Sequence, residues 1–106
     1  MRNLRDKTLV NNIIVAHCAD YQRKKRAIMT RSCSRRVLME YKYTNSRLFD
    51  AATEFIGSTY AEDLIFEIGN YVGFANTKIK CISESCYKRY KEEVKEVMAK
   101  KLYLID

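Results

Sequence analysis

Proline is absent from the 106 residues, and glycine occurs only at Gly57, Gly69 and Gly73. A β-sandwich or barrel needs many Gly- and Pro-rich turns, so their scarcity argues for a mostly helical chain. No apolar run approaches the ~18 residues of a membrane-spanning helix. The opening stretch MRNLRDKTLVNN lacks the apolar segment of a secretory signal. These absences lead us to expect a cytoplasmic protein with reduced thiols and no membrane partner. Histidine is scarce too. His17 is the only imidazole, and its neighbour Cys18 cannot pair with it, because adjacent helical side chains diverge by about 100°. There is no phosphate-cradling Gly loop, and the adjacent pairs Glu62/Asp63 and Glu92/Glu93 read as solvated charge. We therefore expect no enzymatic chemistry and no cofactor.

The four cysteines, Cys18, Cys33, Cys81 and Cys86, carry no zinc signature. A tetrahedral site draws on short C-x₂₋₄-C pairs, and only Cys81 and Cys86 are close. No metal is expected, and the thiols read as small hydrophobes.

What is present is positive charge, unevenly spread. The formal charge is +7. Residues 1–53 hold twelve Lys and Arg against four acids, a net +8, whereas residues 54–106 hold eight against nine, a net −1. A basic chain of this size points first to nucleic acid and second to an acidic membrane surface. The densest block is YQRKKRAIMTRSCSRR, in which Arg23, Lys24, Lys25, Arg26, Arg31, Arg35 and Arg36 occur without an acid. One reading is a phosphate grip that sets affinity but not sequence preference. The plainer reading is a solvated helix end.

With 47% hydrophobic residues the chain can bury a modest core. Leu9, Val10, Ile13, Ile14, His17 and Tyr21 repeat at helical spacing, giving a helix over 4–28 that ends in the basic block. TRSCS offers caps for a second helix carrying Leu38, Tyr41, Leu48, Ala52 and Phe55. YTNSR is expected to break that helix, with a new start near Ser46, and Gly57 to close it in a left-handed conformation. Thr59 and Glu62 have capping-box spacing. Ala61, Leu64, Ile65, Ile68, Tyr71 and Val72 then form a stripe closed by Gly73. A last helix opens at Ser83 and buries Tyr87, Tyr90, Val94, Val97, Met98 and Leu102, with Lys100 and Lys101 at its C-terminal end. The expectation is a small domain of four to five helices. Residues 1–43 would be a basic helical region or arm, and residues 44–106 a region ending in a helix-turn-helix with an extended turn.

The motif rests on three segments. Ile68-Gly69 sits where a supporting helix carries an apolar residue and then a small one facing its partner. Val72-Gly73-Phe74 resembles the close of that helix, and Ile82-Ser83-Glu84-Ser85-Cys86-Tyr87 resembles the start of a recognition helix. Together with KRYKEEVKEVMAKKLYLI, residues 44–105 resemble the sigma-factor region-four class and phage transcription regulators of the ArpU and RinA kind. The resemblance implies a small helical phage or mobile-element regulator that acts at promoters on double-stranded DNA without enzymatic chemistry; RNA polymerase is a further candidate partner, and because many helix-turn-helix readers dimerise on two half-sites, so is a second copy. The departure is ANTKIKC, seven residues between Phe74 and Ile82 where the family's turn is three or four.

On that reading Ser85, Lys88 and Arg89 would reach base edges, while Lys78, Lys80 and Lys91 would join the basic block on phosphate. Salt pairs from Lys88 to Glu92 and from Arg89 to Glu93 would mute the field. The competing reading is a non-catalytic module docking on polymerase or a host protein, with Met98, Leu102, Tyr103, Leu104 and Ile105 facing the partner.

Overall fold

A computed structural model describes residues 6–105, and within them every regular element is helical. The order is α1 (Lys7–Thr30), α2 (Arg35–Ile56), α3 (Ser58–Gly69) and α4 (Glu84–Lys101), with a short 3₁₀ turn at Phe74–Asn76. Leu4, where α1 was expected to begin, lies outside the described residues. Asp6 caps α1 by accepting from Thr8 N and Leu9 N, and Ser34 caps α2 by accepting from Val37 N.

The antiparallel hairpin α1–α2 carries the other two helices. α3 packs on both arms, while α4 lies chiefly on α2 and then on α1. Ile14, Leu48, Ala51, Ala52, Leu64, Ile65, Val94 and Met98 form the sealed core between them. At ~1.5–3 kcal/mol per large apolar side chain, this core is the main stabilising term.

Four local expectations are corrected. α2 runs unbroken through YTNSR, and with it through residues 43 and 44. Its polar side chains find partners without opening the backbone: Asn45 donates to Tyr21 O of α1 and Ser46 back-bonds to Tyr43 O. The Thr59–Glu62 capping box does not form. Gly57 occupies the cap with no side chain to offer, and Glu62 is engaged by α1 instead. Gly57 has φ 82° and ψ 166°, so its positive φ needs glycine but it is not the left-handed helix close.

Gly73 does not close α3. The helix ends at Gly69, and Val72 N bonds back to Glu67 O with Tyr71 at φ 55° in the left-handed position. Gly69 is small for a different reason from the one the motif suggests. A Cβ there would come within 2.6 Å of Ala19 Cα, so glycine lets α3 touch the backbone of α1 rather than α4.

The start of α4 is as expected. Ser83 accepts from Cys86 N, Glu84 lies in the first turn, and Tyr87, Val94 and Met98 are buried. Leu102, Leu104 and Ile105 pack against the core and Met98 is sealed within it. The apolar tail is therefore mostly part of the fold, and of the residues expected to face a partner only Tyr103 stands out in solvent, 60% exposed.

Candidate nucleic-acid interface

The basic block divides by helical geometry into cations that are used inside the fold and cations that are not. Arg23 chelates Asp20, with Nη2 to Oδ2 at 2.7 Å, and lies over the Tyr41 ring. This pairing holds the Asp20 carboxyl below its ordinary range. Lys24 is only 7% exposed, with Nζ 3.3 Å from His17 Nδ1, and burial lowers its pKa. Lys25 donates to Glu62 at 2.6 Å, fastening α1 to α3, and lowers the pKa of that carboxyl. The other four, Arg26, Arg31, Arg35 and Arg36, gather at the hairpin end, all exposed. Of these only Arg36 has a carboxylate within 4 Å among the described residues. That partner is Glu40 at 3.8 Å, with both side chains mostly in water. Such a pair is worth little.

The turn itself sets Arg31 outward. Arg31 takes the left-handed position at φ 51°, ψ 43°, with its N–H and that of Ser32 both returning to Ala27 O. A non-glycine residue there costs about 1 kcal/mol.

The second candidate surface is α4 with the segment before it. Ser85, Lys88 and Arg89 are all exposed in its first turns. Lys88 pairs with Glu84 at 2.9 Å rather than with Glu92, whereas Arg89 lies 3.9 Å from Glu93 as expected. Lys95 pairs with Glu92 and Lys100 with Glu96. Lys91 turns inward, donating to Val72 O at 2.6 Å above the Tyr87 ring, and burial lowers its pKa. It clamps the end of α3.

ANTKIKC turns out to be built into the core. Thr77 and Ile79 are buried, and the segment closes on Glu67, a carboxylate only 2% exposed. Glu67 accepts from the Thr77 hydroxyl, from Lys78 N at 2.8 Å and from the Tyr87 hydroxyl at 2.6 Å. Burial, and then the hydrogen bond to Glu67, push the Tyr87 phenol up to about 12. Phe74 packs edge-on against the same ring. Glu67 is thus the knot joining α3, the connecting segment and α4. Lys78 and Lys80 point outward with no carboxylate partner among the described residues.

The thiols are scattered. Cys18 is buried against Met98, which pushes its pKa up to about 12. No cluster of three metal-capable side chains occurs among the described residues. Among them, too, no helix is long and apolar enough to cross a membrane. Comparison with protein families, characterised proteins and solved structures finds no match to this chain.

Proposed function

We propose that the protein is a regulator that binds double-stranded DNA and holds its phosphates with the arginines at the end of the α1–α2 hairpin. The observation that carries this reading is the gathering of the exposed Arg26, Arg31, Arg35 and Arg36 with a single, weak carboxylate partner among the described residues. Arginine presents a planar fork suited to phosphate, and like charges left together in water repel unless a polyanion relieves them. Ser85, Lys88 and Arg89 on α4 are the proposed base-reading set. Their exposure off the packed face and the fixed Ser83 cap support that role, while the glutamates beside them weaken it.

The test is a salt titration of duplex binding. Four phosphate contacts give a log–log slope of about −3.6. Replacing the four arginines with Gln should remove most of the slope, leaving what Lys78 and Lys80 contribute. Replacing Lys88 and Arg89 with Ala should leave it nearly unchanged and flatten preference among sequences selected from a random duplex pool. A steep slope surviving in the arginine variant would sink the assignment.

A further inference from the structure

Beside the ground that α3 covers, an open groove of about 350 Å³ runs between the two arms of the hairpin. Tyr21, Lys25 and Ile28 form one wall, and Lys42, Asn45 and Phe49 the other. On each helix these residues recur at three and four, the period of a face that packs against another helix. No residue of α3 or α4 lines the groove. Towards the turn, the hairpin seam that α3 covers elsewhere thus continues without a third helix.

At the groove floor Asn45 is 7% exposed and donates its amide to Tyr21 O at 3.1 Å, which ties the two walls together. Of the two lysines in its walls, Lys25 is matched by Glu62 of α3 at 2.6 Å, so the uncompensated cation is Lys42. Lys42 is exposed with no carboxylate within 4 Å among the described residues, and towards the turn follow four exposed arginines, of which Arg36 has the weak partner Glu40. Asp50, at the opposite end, is the one acid of the lining.

We propose that this groove seats an amphipathic helix of a protein partner. The helix would be apolar along i, i+3/i+4 and i+7 and carry carboxylates on the flank that meets Lys42 and the arginines. A phosphate backbone would satisfy the same cations but leave the half-buried Ile28 and Phe49 uncovered on the groove side. The proposal goes beyond DNA binding and does not depend on it.

The probe is a labelled peptide of about 18 residues, long enough to hold a helix, with Leu on the seam and Glu on the flanks. A peptide of the same composition in scrambled order is the control. By fluorescence anisotropy on the full chain, the patterned peptide should bind at least about tenfold tighter than the scrambled one. Lys42→Glu, at an exposed position that leaves packing intact, should remove most of that advantage, and Ile28→Glu all of it. Amide exchange should slow at residues 21–28 and 42–49 on binding. Equal binding of the two peptides would overturn the proposal, as would no detectable binding of the patterned one. Displacement by duplex DNA with no protection at the groove would also overturn it, by assigning the cations to a polyanion alone.

Discussion

The hairpin end carries four exposed cations and the outward side of α4 three, and they differ in what stands one helical turn away. Among the described residues Arg26, Arg31, Arg35 and Arg36 face a single carboxylate, Glu40, at 3.8 Å. Lys88, Arg89 and Lys100 each have their own: Glu84, Glu93 and Glu96. Similar numbers of exposed cations thus give a patch with a field on one element and a nearly neutral face on the other. The spacing of the acids at three and four decides this, because only those positions share a helical face. A count of Lys and Arg would have ranked the two regions alike. The long-range attraction that brings a polyanion in belongs to the hairpin, and any discrimination on α4 would have to work at short range.

The two regions are also anchored differently, and this gives the largest expected effect. α4 and its connecting segment close on the buried Glu67, whereas the hairpin end is held by its own turn and the pairing of α1 with α2. Glu67→Ala strands the hydroxyl of Thr77 and the N–H of Lys78, leaves Tyr87 with Val72 O alone, and should cost about 2–4 kcal/mol in a urea melt. Under conditions where the variant remains folded, the salt slope of DNA binding should stay near the wild-type value. A slope that collapses with Glu67→Ala would mean that the α4 side shares the grip, and the contrast between the regions would fail.

Why the sequence hides part of this can be stated residue by residue. Helix starts were legible because caps are local: Ser34 and Ser83 each bond a backbone N–H three residues on. The fate of the basic run was not. QRKKR spans more than one helical turn, so a cation must point inward once the helix continues through it, and that cation is Lys24. Glu67 was missed because it sits on the edge of the apolar arc of α3, while Phe66 beside it is 46% exposed. Periodicity finds an arc but not its edges. The close of α3 was misplaced because the apolar stripe runs on to Gly73, whereas the chain already turns at Tyr71, which takes a left-handed position as Arg31 and Tyr103 do elsewhere. Gly69 was read as a packing residue correctly, but only the fold reveals that its neighbour is α1.

A middle-sized effect separates stability from grip at one residue. Arg31→Gly relieves the left-handed backbone and should raise stability by about 0.5–1 kcal/mol. The same change removes one phosphate contact and should flatten the salt slope by about 0.9. Stability and slope should therefore move in opposite senses, measured on one protein by melting and by titration. If the slope does not change, Arg31 lies outside the interface and the grip shrinks to three arginines.

The smallest effect comes from the stem beneath the hairpin end. His17 is half-buried with the Lys24 ammonium 3.3 Å from Nδ1, and desolvation followed by that charge lowers its pKa, with Asp20 opposing. Unfolded, His17 titrates near ~6.5. Below that pH the unfolded chain takes up its proton more readily than the folded one, so the unfolded state binds more protons and stability falls with pH. The carboxyls add their own losses only from about pH 4.5 downward, since Asp and Glu titrate near ~3.9 and ~4.3 when unfolded. Between pH 6.5 and 4.5 the decline therefore belongs to His17, the one imidazole in the chain. Urea melts at pH 7 and pH 5 should show wild type less stable at the lower pH. His17→Gln keeps an acceptor for Lys24 without a proton to gain, so that difference should vanish. An undiminished loss in His17→Gln would show that the Lys24 pocket does not set the acid sensitivity of the stem.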